Sequence, residues 1–276
     1  MAAPTLPSPP LPSATCTCFW SLCTPLRNAK SKTLTDGANL KDASAPSAED
    51  TIAAQQQFTR GSALHSKEQL HEAIAAYRAA AVLDGTRTDV LYNLANALQD
   101  VGQLQEARHV YARVIALMPD HYAAHYNLGY VLEELGEIEP ALREFRSASS
   151  LDPNDKDALV NIGNILMQLH EIEAAIAEYK RAVALDPTSV MAFYNLASAA
   201  HALNQHDLAK QYFSKTIALD PHYADAHFNL GIVHQESGVL DEALKCYDEA
   251  ARLNPDLVEA VRAANSIRAN AGTAVR

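Results

Sequence analysis

A chain that repeats itself at one fixed period is confined to a stack of like units, and from Ala54 onward this sequence repeats every 34 residues. Six blocks result: 54–87, 88–121, 122–155, 156–189, 190–223 and 224–257. At position 20 of the block every copy has alanine: Ala73, Ala107, Ala141, Ala175, Ala209 and Ala243. Position 24 is always aromatic (Tyr77, Tyr111, Phe145, Tyr179, Phe213, Tyr247), and position 30 is always leucine, from Leu83 to Leu253. Position 32 is proline in five blocks (Pro119, Pro153, Pro187, Pro221, Pro255), with Gly85 in the first. Matches in every block at three fixed positions do not arise from composition.

Within a block, apolar or small residues at positions 4, 7, 8 and 11 form the i, i+3, i+4, i+7 stripe of an amphipathic helix, as in His125, Leu128, Gly129 and Leu132. Position 15 then holds Gly102, Gly136, His170, Asn204 and Gly238, types suited to a left-handed helix end. A second helix is expected to follow, its position-20 alanine facing the small residue at position 8 and its position-24 ring filling the space between the pair. Proline at 32 lacks an amide hydrogen and stops that helix. The fold class predicted is all-α.

The small, small, aromatic, small, proline spacing closely resembles the tetratricopeptide repeat family, over residues 54–257. The resemblance implies a right-handed superhelix of six helix pairs whose inner surface is made mainly by the first helix of each unit. One unit cannot bury its own apolar faces, so end units are modified. Block one departs most, at Gln57, Arg60 and Gly85, as an N-terminal cap would. Residues 258–276 read as a C-terminal capping helix and tail, with Val258, Val261, Ala264 and Ile267 on one side.

Residues 1–50 are rich in Pro, Ser, Thr and Ala and read as a disordered tail. Its first 35 residues lack acidic side chains but contain Arg27, Lys30 and Lys32, so a plastid or mitochondrial transit peptide is the alternative to a cytoplasmic location. Palmitoylation of the Cys16, Cys18 and Cys23 cluster is a third reading of this segment. The tail holds as many basic as acidic residues, so the whole net charge of −11 falls on the repeats. No stretch approaches the ~18 apolar residues of a membrane span. With Cys246 alone in the body, no disulfide-built domain is expected.

Positions 2, 5, 6, 9, 12 and 13 lie opposite the packing stripe and face the inner groove. Position 6 holds Asn93, Asn127, Asn161, Asn195 and Asn229, with Thr59 in block one. An asparagine amide both donates and accepts, so a regular ladder of them can pair with the main chain of an extended peptide; a solvated surface is the bland reading. The ladder resembles that in the superhelical arm of O-linked N-acetylglucosamine transferases, which implies a substrate-peptide site. Beside it at position 5 stand Tyr92, Tyr126, Tyr194 and Phe228, with Phe58 and Val160 in the other blocks, either as footholds for a peptide or packed on a neighbouring helix.

First helices of blocks two to six carry one basic residue, Lys156, against Asp89, Asp100, Glu133, Glu134, Asp157, Asp225 and Glu236. Such a groove favours neutral or basic protein segments and disfavours nucleic acid. Family members that clamp the C-terminal carboxylate of heat-shock chaperones use Lys and Arg at positions 2, 5 and 6, where this chain has Asp or Ala, Tyr or Phe, and Asn, so that partner is not expected.

Phosphate-loop, dinucleotide-binding and serine-elbow motifs are absent from the sequence, and no cofactor is expected. His121 with His125, and His227 with His234, stand at helical spacing, but a packing or capping role is expected for them and no metal site. The function expected is a non-catalytic interaction scaffold. Two alternatives stand beside it: the substrate-recognition arm of a glycosyltransferase whose catalytic part lies elsewhere, and an assembly subunit that self-associates through its second helices.

Overall fold

A computed structural model describes residues 46–273. The readings of residues 1–45, including the transit and palmitoylation signals, lie outside the described residues. Among the described residues there are thirteen helices and no strand. α1 (Ala48–His65) pairs with α2 (Leu70–Leu83), α3 (Thr88–Asp100) with α4 (Leu104–Leu117), and α5 (Tyr122–Glu134) with α6 (Ile138–Leu151). α7 (Lys156–Gln168) pairs with α8 (Ile172–Leu185), α9 (Val190–Ala202) with α10 (His206–Leu219), and α11 (Ala224–Glu236) with α12 (Leu240–Leu253). α13 (Val258–Thr273) packs on α12.

The start of the first helix corrects the tail reading at its edge, because Ala48, Glu49 and Asp50 are helical. Ser47 caps them: its Oγ accepts from the Asp50 amide at 3.1 Å while the Asp50 carboxylate accepts from the Ser47 hydroxyl at 2.6 Å.

Each turn within a pair is built alike. The residue at position 15 is left-handed in all six repeats, with φ of 74° at Gly102, 76° at Gly136, 60° at His170, 56° at Asn204 and 77° at Gly238, and Glu68 at 60° in the first. The next amide then reaches back five residues, as from Gln103 to the Leu98 carbonyl at 2.8 Å, which satisfies one orphan carbonyl of the first helix. Between pairs, the second helix stops at the position-30 leucine, one residue before an extended cap. There Asp84, Asp152, Asp186 and Asp220 each accept the amide hydrogen two residues on, at 2.9 to 3.0 Å. This Asx turn, with the proline, redirects the chain into the next first helix.

The core runs the length of the array instead of gathering at a centre. The six position-24 rings are its largest members, each at most 2% exposed, and all six position-20 alanines are fully buried. Truncating a ring so enclosed costs about 3–5 kcal/mol. One sequence expectation changes in detail: the small residue at position 8 makes room for the ring at position 24 more than for the alanine at 20. A Cβ added to Gly129 would stand 2.8 Å from Cε1 of Phe145, and one added to Gly61 2.6 Å from Cε1 of Tyr77.

Positions 3 and 10 lay off the expected packing stripe, yet Val90, Ala124, Ala158, Ala192 and Ala226, and Ala97, Val131, Ile165, Ala199 and Val233, are fully buried. Each first helix from α3 on has two neighbours, its own second helix and that of the preceding pair, so a wider face is covered. Recurrence in sequence is not the same as burial: Leu117, Leu151 and Leu185 at the repeated position 30 are more than two-fifths exposed.

Candidate functional site

The position-5 rings are half-buried, because each lies against the position-24 ring of its own repeat. Centroid separations are 6.0 Å for Phe58 and Tyr77, 6.1 Å for Tyr92 and Tyr111, 5.7 Å for Tyr126 and Phe145, 5.8 Å for Tyr194 and Phe213, and 5.6 Å for Phe228 and Tyr247. Val160, in the fourth repeat, is buried. The rings therefore extend the core toward the groove and leave only part of their surface for a partner.

The asparagine ladder is tied into the fold through one half of each amide. Asn127 Nδ2 donates to the Tyr92 hydroxyl at 3.1 Å, the Asn96 Oδ1 at 3.1 Å and the Tyr111 hydroxyl at 3.4 Å. Asn161 Nδ2 donates to the hydroxyls of Tyr126 at 3.2 Å and Tyr130 at 2.9 Å. Asn195 donates to Asn164 Oδ1, and Asn229 to the Tyr194 hydroxyl, each at 2.8 Å. All these acceptors stand at positions 5, 9 or 24 of the preceding repeat. Asn93 is the exception, bonding the Asp89 carbonyl of its own helix at 2.8 Å. Sequence alone left the whole amide available for a peptide; the amino half is engaged in joining repeats, while the Oδ1 atoms of all five have no hydrogen-bond partner among the described residues.

Position 9 supplies what the sequence reading passed over. Tyr111 donates its hydroxyl to Asn96 Oδ1 at 2.5 Å, and Tyr179 to Asn164 Oδ1 at 2.8 Å, so the position-24 phenol, the position-9 amide and the next asparagine form a relay across the helix pair. In the third repeat Phe145 lacks a hydroxyl, and the residue at position 9 is Tyr130, which brings its own to Asn161. The signal in the sequence was this exchange of Tyr with Asn for Phe with Tyr. Burial pushes the phenols of Tyr111 and Tyr126 well above their ordinary range, so both stay protonated donors.

The acidic residues divide into paired and unpaired. Lys156 is held by Asp186, whose carboxyl falls to about 2 through that bond and those from Thr188. Arg87 forks onto Asp89 and also lies 5.1 Å above the Phe58 ring, so Asp89 is neutralised from within. His65 meets Asp100 at 3.0 Å, and Gln168 donates to Glu133 at 2.8 Å; burial raises the Glu133 carboxyl. Glu134, Asp157 and Asp225 are exposed and form no ion pair among the described residues, so the groove retains negative charge.

Of the paired histidines named from spacing, His121, His125 and His227 are held by hydrogen bonds, while the Nδ1 of His234 is buried without a partner among the described residues. His121 Nδ1 accepts the Ala124 amide at 3.1 Å, and buried His125 joins Glu144 at 2.7 Å and the Pro119 carbonyl at 3.0 Å. His227 meets the Pro221 carbonyl at 3.1 Å, and burial together with Lys210 lowers the His234 pKa. The histidines that converge are different ones. His201, His206 and Glu236 place one ligand atom each within 4.8 Å of the others.

Three family models described as TPR repeat or Tetratricopeptide repeat match residues 92–156, 163–204 and 200–265, together more than half of the chain. The chain belongs to the tetratricopeptide repeat family. Tetratricopeptide repeat proteins act as protein-interaction scaffolds. Among solved structures, this repeat array resembles PilF of Pseudomonas aeruginosa, with a TM-score of 0.63 at 17% identity over 80% of this chain and 99% of that one. It also resembles YrrB, whose structure is described as a TPR protein with an unusual peptide-binding site, at 0.60 and 24% identity over 68% of this chain and 97% of that one. MamA gives 0.57 and 23% identity over 60% and 97%. Identities this low establish the fold. No curated protein matches the sequence. No described helix is long and apolar enough to cross a membrane.

Proposed function

We propose that the repeat array is a non-catalytic scaffold that holds an extended, neutral or basic segment of another protein along its inner groove. One observation carries the reading. Asn127, Asn161, Asn195 and Asn229 each spend Nδ2 on the preceding repeat, which fixes the amide plane and leaves Oδ1 as an acceptor at a regular interval. An extended peptide presents main-chain N–H groups that such acceptors can take without reading its side chains. The groove side of Tyr92, Tyr126, Tyr194 and Phe228 adds apolar contact, and Glu134, Asp157 and Asp225 add attraction for basic residues. This use of the ladder is also what the resemblance to glycosyltransferase arms implies, and peptide binding is described for YrrB.

The test alters the peptide and leaves the protein intact. The full chain is panned against a random peptide library, and the best binder is resynthesised with alternate backbone amides N-methylated. Each lost N–H removes a bond of about 1 kcal/mol, so two or more should weaken binding at least tenfold, while alanine replacement of most side chains is tolerated. A methylated peptide that binds as well as its parent, or a library that enriches acidic sequences, sinks the proposal.

A further inference from the structure

Position 17 opens the second helix of every repeat and is aliphatic in five of them: Leu70, Leu104, Ile138, Ile172 and Leu240. The fifth repeat has His206 there. Its Nδ1 is buried and has no hydrogen-bond partner, an unfavourable state for an imidazole where leucine is otherwise used. The departure coincides with two others. His201 stands at position 12 in the last turn of α9, and Glu236 is the last residue of α11 in the following repeat. His201 Nε2 lies 2.6 Å from Glu236 Oε2, and His206 Nδ1 lies 3.6 Å from the same oxygen. The three side chains are 27%, 32% and 45% exposed, so the cluster lies at the surface with His206 Nδ1 as its inner atom.

We propose that His201, His206 and Glu236 bind one transition-metal ion of the Zn2+ class, which clamps the fifth repeat to the sixth. Two imidazoles and a carboxylate suit Zn2+ and its neighbours, whereas Ca2+ and Mg2+ take oxygen donors. Donor atoms around a tetrahedral ion with bonds near 2.1 Å stand roughly 3.4 Å apart, and the separations of 2.6 Å and 3.6 Å bracket that value. The ion takes the place of the hydrogen bond between His201 Nε2 and Glu236 Oε2, each ligating atom offering it a lone pair. Water from the adjoining cleft, lined by Asn204, Gln205, Asp207, Lys210 and Ser237, completes the fourth position. The array contains its own comparison: His65 and Asp100 repeat the same inter-repeat pairing at 3.0 Å, but position 17 there is Leu70 and no third ligand converges among the described residues.

The experiment uses the full chain, stripped with a chelator and dialysed, then titrated with Zn2+ alone. Bound metal is counted by mass spectrometry after equilibrium dialysis, with thermal unfolding followed in parallel. One tight equivalent and a melting temperature that climbs with Zn2+ are expected for the wild type and for His65→Gln. His206→Leu, which restores the residue type of the other repeats, and Glu236→Gln should each lose both effects. Co2+ in place of Zn2+ should give the visible absorption of a four-coordinate ion in the wild type and His65→Gln, and in neither of the other two variants. The assignment is overturned by a wild type that takes up no stoichiometric Zn2+, or by His206→Leu and Glu236→Gln retaining the equivalent.

Discussion

Replacing Asn161 by alanine separates a ladder that joins repeats from one that merely faces solvent. Asn161 Nδ2 lies 2.9 Å from the Tyr130 hydroxyl and 3.2 Å from that of Tyr126, both on the preceding repeat. Two such bonds contribute about 0.5–1.5 kcal/mol each. The two hydroxyls stand 3.3 Å apart and can still bond one another, which keeps the loss toward the lower end. Alanine returns about 0.5 kcal/mol of helix propensity, so the net cost is about 0.5–1.5 kcal/mol. Asn93→Ala is the control, because its amide makes one solvent-exposed bond, to the Asp89 carbonyl four residues back in its own helix; at the low end of that range, about 0.5 kcal/mol, the bond is offset by the helix gain and the net effect is near zero. Urea unfolding followed by far-ultraviolet circular dichroism measures both. In a linear array the loss falls on one interface, so Asn161→Ala should also lower the unfolding slope and speed amide exchange on both sides of the third and fourth repeats. Equal stabilities for the two variants would refute the assignment of these amides to the repeat interface.

Two further outcomes follow from the same packing. A Cβ added at Gly163 overlaps the Tyr179 ring, which is 1% exposed and bonded to Asn164, so Gly163→Ala should cost roughly 1 kcal/mol after an overpacking penalty of about 1–3 is offset by a helix gain of about 1; a melting temperature equal to or above wild type would contradict it. The second outcome concerns acid. Burial, and secondarily Lys210, depresses the His234 pKa below its ordinary 6.5, partly opposed by Glu242. The unfolded chain then binds a proton first as pH falls, so stability tied to neutral His234 is intact above 6.5 and drains away below it. Denaturant unfolding at pH 7.5 and 5.5 should show a smaller acid loss in His234→Leu than in wild type, and an identical loss in the two would count against the reasoning.

Much of this architecture was legible because its causes are local and repeated. Helix length, the left-handed residue at position 15 and the stop before position 32 depend on side chains within a few residues of one another, and six copies average out the noise of any one. Glu68 escaped notice at position 15 because glutamate carries no turn signal; the surrounding fold imposes its φ of 60°. Positions 3 and 10 were missed for a related reason, since the single-helix pattern knows of one packing face and the stack supplies a second.

The sequence by itself determined an all-helical array of like units, an acidic groove and the recurrence of asparagine at one of its positions. Only the tertiary structure decided what those asparagines do, because the partners of Asn127, Asn161, Asn195 and Asn229 stand in the preceding repeat, most of them 31 or 35 residues back. The same holds for His201 and Glu236, also 35 residues apart, and for His206 between them. A 34-residue period fixes which residues are equivalent, but contacts between repeats run at 31 and 35, offsets set by how one helix pair rotates onto the next. That rotation is a property of packed surfaces, and no window of sequence shorter than two units contains it.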